Sequence, residues 1–399
     1  MPLIQAGAGI SDQQDGEKAA HEAATAALER SRADAADWVF VFVTPAHRGA
    51  FGAILETVCD VTGTSRVIGC TGVGVLAGAK EIEGEAGVAV LAASSEAVRA
   101  VPLLFRDEGD GGLSIGYEIA ALLEPPPAAG EDEILLLFSD PARIQPERVF
   151  RALGAKRPIL IAGAAASEDG TLGGTQQFCG REVAAGAVAG LHLSGRLGLA
   201  TGVTQGCTPI GEPCVITRGH GNMVFALDGR PALAVFAEQI PRALFAANPA
   251  LLRSVFVGIS PEPAPAETAP GEFLVRPIAG FDQARGAFAV GGSVVEGQWL
   301  TLVIRDPDAA REDLKRMLEK VRTARETLHA AFGLYFNCAG RGRGLYGLDG
   351  IDSAYLTQAL GSLPLAGVFG NAEFAPLRGA TRMFTYTGVL TLVGEARPR

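Results

Sequence analysis

The sequence predicts a mixed α/β protein: two related, helix-covered sheets built from internal repeats and packed as an αββα-type sandwich. Three observations carry this. First, an apolar five-residue run recurs at Val39–Val43, Ile134–Phe138, Val255–Ile259 and Leu334–Cys338. Each is followed by a glycine-bearing apolar segment, at Val67-Ile-Gly-Cys70, Leu160-Ile-Ala-Gly163, Ile278-Ala-Gly-Phe281 and Leu365-Ala-Gly-Val368, then by a third run near Gly87, Gly186, Trp299 and Gly388. Second, 52 glycines with only 7% aromatic residues suit tight turns and short strands better than a helical bundle. Third, amphipathic helices flank the strands, and a sheet coated on one face has a second apolar face to bury.

The first unit reads as helix, strand, helix, strand, strand. Glu17–Arg32 is an alanine-rich amphipathic helix charged on alternate sides, Trp38–Val43 is a strand, a helix over about Arg48–Val61 returns the chain to Val67–Cys70, and Lys80–Glu85 turns into Val88–Ala92. After the surface loop Pro125–Gly130 the second unit runs Glu133–Phe138, a short helix Glu147–Leu153, and strands Ile159–Ala165, Thr175–Cys179 and Val183–Leu193, extended by Leu197–Val203. Asp228-Gly229 is a turn signal, and Pro231 opens a helix reaching about Gln239. The third copy differs because Ser260–Gly271 carries four prolines and cannot be a crossover helix. A long helix over Asp308–Ala331, with Leu314, Met317, Leu318, Val321 and Leu328 on one stripe, is the counterpart of the first helix. The fourth copy closes the chain with Gly333–Cys338, a helix near Ser353–Leu360, Leu365–Phe369 and a final pair ending at Val393.

Composition narrows the function. A hydrophobic content of 48% supports a sizeable core. A net charge of −10 opposes binding to a nucleic acid backbone, and no apolar run approaches the about 18–20 residues of a membrane helix. Six cysteines lie far apart with no CxxC pair, which fits reduced thiols, and no leader pattern opens the chain, so a cytoplasmic location is expected. The histidines His21, His47, His192, His220 and His329 match no zinc spacing, so no metal is expected. Gly342-Arg-Gly-Leu-Tyr-Gly347 spells GxGxxG, yet the text behind it is turn-like, which does not suit a dinucleotide.

Two polar clusters stand at strand ends. Asn337-Cys-Ala-Gly-Arg-Gly-Arg-Gly344 gives a glycine-rich loop whose amides and Arg341 suit an anion. Gly367-Val-Phe-Gly-Asn-Ala-Glu-Phe374 follows a strand expected beside it, where Asn371 and Glu373 can meet Arg341. Arginine and carboxylate together hold a zwitterion, or else pair only with each other. The expected ligand-contacting set is Cys338, Arg341, Asn371, Glu373 and Phe369, with Cys70 as the copy-one counterpart. An enzymatic alternative makes Cys338 a nucleophile or Glu373 an acid/base, though sequence places no histidine beside Cys338.

In these two clusters, together with Gln205-Gly-Cys-Thr-Pro-Ile-Gly211 and Leu227-Asp-Gly-Arg-Pro-Ala-Leu233, the chain resembles the FIST family. The resemblance implies a FIST N-like half at 1–225 and a FIST C-like half at 226–399. It implies sensing of a small ligand, an amino acid or related metabolite, passed to a downstream signalling protein, without catalysis. Some relatives bind haem and respond to nitric oxide, so haem is the cofactor the resemblance brings into consideration. Where the family usually has glycine before the glutamate, this chain has Ala372, which adds a methyl beside the expected pocket.

Overall fold

Strands that are apolar on both faces must be covered on both, and three such strands organise the structure. The computed structural model describes residues 4–240, 254–264 and 273–395. The first repeat comprises β1 (Gln5–Ser11), α1 (Gly16–Ser31), β2 (Trp38–Val43), α2 (Phe51–Thr62), β3 (Val67–Thr71), the hairpin β4 (Gly74–Ala77) and β5 (Lys80–Glu83), and β6 (Val88–Ser94). The second comprises β7 (Val98–Arg106), α3 (Leu113–Leu122), β8 (Asp132–Ser139), α4 (Pro146–Lys156), β9 (Leu160–Ala165), β10 (Gln177–Cys179), β11 (Glu182–Ala184) and β12 (Ala187–Gly195).

The next edge strand, β13 (Leu197–Gln205), is not followed at once by its helix. Between them lie β14 (Cys207–Pro209), β15 (Cys214–His220), β16 (Met223–Leu227), β17 (Arg230–Pro231), α5 (Ala232–Gln239), β18 (Val255–Ile259), β19 (Leu274–Asp282), β20 (Ala287–Val290) and β21 (Trp299–Arg305). The repeat then resumes with α6 (Pro307–Leu328), β22 (Ala330–Cys338), α7 (Arg343–Tyr346), α8 (Ile351–Leu360), β23 (Leu365–Gly370), β24 (Ala372–Leu377), β25 (Ala380–Phe384) and β26 (Thr387–Glu395).

Two compact units result, 1–204 with 314–399 and 205–313. In the larger unit three six-stranded sheets share one strand order: β1-β6-β2-β3-β10-β11, β7-β12-β8-β9-β24-β25 and β13-β26-β22-β23-β4-β5. Each repeat gives its hairpin to another repeat's sheet, and three such exchanges close a ring. The mixed α/β class and internal repetition are present, with helices outside and sheets inside in the larger unit as expected, and that unit alone has three sheets where two were expected for the chain, the smaller unit adding a fourth of eight strands.

The reason lies in alternation along the first strands. Val39, Val41 and Val43 meet α1 and α2, while Leu135 and Leu137 take the corresponding place in the second repeat and Tyr335 in the last. The opposite faces meet one another as aromatic rings. Phe138 lies 5.4 Å from Phe42, 6.5 Å from Phe40 and 5.9 Å from Phe336, so side chains of all three repeats touch.

The third sequence copy is a correction. In the true repeats the first and second strands pair in parallel, at β2–β3, β8–β9 and β22–β23. Val255–Ile259 instead pairs antiparallel with both β19 and β21, in the sheet of the smaller unit. A parallel pair needs a crossover helix, and the proline-rich stretch cannot supply one; part of Ser260–Gly271 lies outside the described residues. The smaller unit buries Ile216, Val224, Val257, Phe288 and Leu302 around α5. The long helix is also corrected: it ends at Leu328, because His329 takes φ +46° and β22 begins at Ala330.

One glycine recurs in register in every repeat. A Cβ at Gly69, Gly163 or Gly367 would stand 1.7, 1.9 or 2.0 Å from the carbonyl oxygen of Val41, Leu137 or Tyr335. Gly69→Ala is therefore expected to push β2 and β3 apart and cost about 3 kcal/mol or more, read as a lower denaturant midpoint. A loss under about 1 kcal/mol would show that the strands can part freely.

Candidate functional site

The carboxyl end of β22 holds the densest buried polar group in the larger unit. Tyr335, Asn337 and Arg341, with Asp352 from α8 and Glu373 from β24, are all essentially enclosed. Arg341 reaches Asp352 twice, Nε donating to Oδ2 at 3.0 Å and Nη2 to Oδ1 at 3.2 Å. Tyr335 and Tyr346 hydroxyls donate to the same carboxylate at 3.0 and 2.8 Å, and Nη2 of Arg341 also donates to Tyr346 Oη at 2.8 Å. Asp352 stands in the first turn of α8, where the helix dipole favours its charge. Burial works against the charge on Arg341, but Asp352 and the two tyrosine oxygens more than offset it, so the guanidinium stays protonated.

Local sequence explains the geometry. Gly388 is in register with Asn337, and a Cβ there would fall 2.0 Å from the Tyr335 hydroxyl that reaches Asp352. Gly342 takes φ +54° and passes close to Glu83, which accepts from the Arg343 amide at 3.1 Å. Glu81 accepts the Gly350 and Ser353 amides at 2.8 and 2.7 Å, capping α8. The β4–β5 hairpin of the first repeat thus clamps the loop that carries Arg341. Burial pushes Glu81 up and raises Glu83 to about 7.

Glu373 takes a different partner. Its Oε2 accepts from Thr387, from the hydroxyl at 2.6 Å and the amide at 3.4 Å. Burial is the main reason its pKa rises to about 8, against the opposing pull of the Thr387 donors, Arg341 and Cys338. Beside it, Cys338 Sγ accepts from the amides of Gly340 at 3.4 Å and Tyr386 at 3.2 Å. Tyr386 adopts φ +59°, a strained conformation for a side chain of this size. Hydrogen-bonding capacity is left over. Nη1 of Arg341, Oε1 of Glu373 and both amide atoms of Asn337 meet no partner among the described residues.

Of the residues expected from sequence, Cys338, Arg341 and Glu373 gather at this strand end. Arg341 forms its ion pair with Asp352, not with Glu373. Phe369 packs into the core with Leu76, Tyr335 and Leu356. Asn371 is exposed, its amide donating to Ala165 O at 2.9 Å. Cys70 is enclosed on β3, in register with Phe42 and Gln177, and burial pushes its thiol up. Sequence reasoning did not single out Tyr335, Tyr346, Asp352 or Thr387. A tyrosine inside an apolar run and an aspartate just after a glycine at a helix start were the available signals.

The three repeats allow a comparison position by position. Three residues beyond the register point stand Thr44, Asp140 and Cys338, and each accepts the amide just before the repeat's last strand: Gly87 at 2.9 Å, Gly186 at 3.0 Å and Tyr386 at 3.2 Å. On the donated hairpins, Val75, Gln177 and Glu373 occupy matching register positions. Gln177 is satisfied at both ends, accepting from Ala187 at 3.3 Å and donating to Thr175 at 3.1 Å. Only in the last repeat is that position both ionisable and left with an open oxygen.

Family models match both halves of the chain, the FIST N domain over residues 37–230 and the FIST C domain over 232–376. The chain belongs to the FIST family. FIST domains are of the sensory type. An uncharacterized protein of Mycobacterium tuberculosis is 29% identical to this FIST protein over 390 residues, covering 98% of this chain and 99% of its own. An uncharacterized protein of Mycobacterium bovis is likewise 29% identical, covering 98% of each chain. Among solved structures, a cyanuric acid hydrolase described as an evolutionary innovation by structural concatenation aligns over 99% of this chain and 100% of its own, with 11% identity and a TM-score of 0.35. The cyanuric acid hydrolase of A. caulinodans aligns over 49% of this chain and 72% of its own, with 10% identity and a TM-score of 0.29. Likenesses this slight carry nothing about activity.

No helix among the described residues is long and apolar enough to cross a membrane, and they contain no His/Cys/Asp/Glu group able to hold a metal ion. Haem needs a histidine nitrogen opening into a cavity. His192, which lines a surface cavity, has Nε2 bound to Glu133 at 2.7 Å, His21 and His329 are exposed, His47 is enclosed, and His220 is exposed and lines a shallow surface cavity with Arg218, Phe225 and Glu296.

Proposed function

We propose that this FIST protein senses a small polar ligand at the end of β22, the ligand satisfying Arg341 Nη1 and Glu373 Oε1. The observation that carries this reading is the open hydrogen-bonding capacity on enclosed side chains. Each buried group left without a partner costs about 1–3 kcal/mol, so a molecule that completes them is favoured. Nη1 asks for an acceptor and Oε1 takes a donor, a pairing met by an amino acid or related metabolite with its carboxylate and ammonium. An ammonium there would also draw Glu373 into its ionised form. The clamp of Glu81 and Glu83 on the same loop gives occupancy a route to a partner, since any shift of the loop is felt by the β4–β5 hairpin. Six cysteines outside any disulfide fit work in the reducing cytoplasm.

A thermal-shift screen of amino acids tests the reading. At a hundred times Kd a ligand adds about 2.7 kcal/mol, a rise in Tm of several degrees. Glu373→Gln should lose most of that rise for the compound that gives it. No response from any compound, or an equal response in the variant, would remove Arg341 and Glu373 from consideration as a ligand site.

A further inference from the structure

The position of Cys338 within the repeat suggests chemistry beyond recognition. Its counterpart in the second repeat is Asp140, a carboxylate held by the amides of Ala142 at 2.7 Å and Gly186 at 3.0 Å. Cys338 Sγ takes the corresponding amides, Gly340 at 3.4 Å and Tyr386 at 3.2 Å. The same two backbone N–H donors serve a carboxyl group in one repeat and sulfur in the other, an arrangement of donors suited to a thiolate. The second observation is independent of the cysteine. Glu373, fully enclosed, keeps Oε1 open, and Cys338 lies close enough to act on its carboxyl.

We propose that Cys338 and Glu373 capture a small aldehyde covalently and reversibly as a hemithioacetal. The inference rests on the ligand-binding reading of this site and names its chemical class. The Sγ–C bond forms as the carbonyl π bond opens, and the thiol proton passes by way of Glu373 to the former carbonyl oxygen. Nothing is oxidised or reduced, no group leaves, and reversal restores thiol and carbonyl. Nη1 of Arg341 is an open donor in the same cluster for an oxygen gaining negative charge. Burial works against a thiolate at Cys70, Cys179 and Cys214. Cys70 is sealed among apolar residues, and burial holds Cys179 and Cys214 up at about 11.

The test follows iodoacetamide labelling of all six cysteines at pH 7 by peptide mass spectrometry, with and without glycolaldehyde. Cys338 is expected to react at least tenfold faster than Cys179 and Cys207. Glycolaldehyde should slow Cys338 at least fivefold, leave those two unchanged, and lose its effect on dialysis. Glu373→Gln should cut both the labelling rate of Cys338 and its protection about tenfold. Labelling of Cys338 no faster than the others, or no protection by glycolaldehyde, would overturn the proposal. Cys338→Ser separates this from the binding reading, since Thr44 shows that a hydroxyl suits the cradle. An amino-acid thermal shift that survives in Cys338→Ser, with no aldehyde protection in the wild type, would sink the covalent step and leave recognition standing.

Discussion

Replacing Asp352 by alanine is expected to cost the protein about 3–5 kcal/mol. The carboxylate collects Nε and Nη2 of Arg341 and two tyrosine hydroxyls, all enclosed. Its loss strands a guanidinium that cannot reach water and leaves two hydroxyls without an acceptor. Breaking a buried pair is more damaging than removing it whole, so Arg341→Met with Asp352→Leu should recover a substantial part of the loss. Urea denaturation of the four proteins in that cycle gives the answer. A single substitution costing under about 1 kcal/mol would mean that water or another anion reaches Arg341.

Glu373 sets the second large effect, through pH. The folded protein holds a proton on this carboxyl up to about 8, while the unfolded chain releases it near the ordinary value of 4.5. Between those values the folded state binds more protons, so stability falls as pH rises from 4.5 to 8. The penalty is absent below the window and complete above it, and for so buried a group it amounts to about 5 kcal/mol. Glu83 and Glu81 have the same sign, so the useful comparison is between wild type and Glu373→Gln. The variant keeps the Thr387 hydrogen bonds and cannot ionise. Its Tm should exceed that of the wild type by several degrees more at pH 8 than at pH 5. Parallel curves for the two proteins would show that Glu373 is ionised in the folded state throughout.

Much of the fold is legible in local text because each repeat writes the same instruction. Apolar runs name the strands, and Gly69, Gly163 and Gly367 mark where two backbones approach too closely for a side chain. Helix ends were less visible, since α6 stops where His329 turns to positive φ and nothing in its polarity announces that. The third echo misled for a related reason: Val255–Ile259 is as apolar as the others, and apolarity does not tell a parallel from an antiparallel partner. At the site, Cys338, Arg341 and Glu373 stood out as polar residues at the ends of apolar strands. Asp352 did not, because its partner comes from a loop eleven residues away and only the folded chain brings them together.

By itself, the sequence determined the mixed α/β class, the duplication and the concentration of polar residues in the last repeat. These follow from local periodicity, which fixes how each segment buries its own apolar face. Tertiary structure alone decided that three sheets close into a ring, that each borrows a hairpin from another repeat, and that residues 205–313 interrupt the third repeat. It also decided that Arg341 is neutralised by Asp352 while Glu373 keeps an open oxygen beside Cys338. Those outcomes depend on which distant faces meet and on what burial does to a charge, and neither is written in the spacing of residues along a chain.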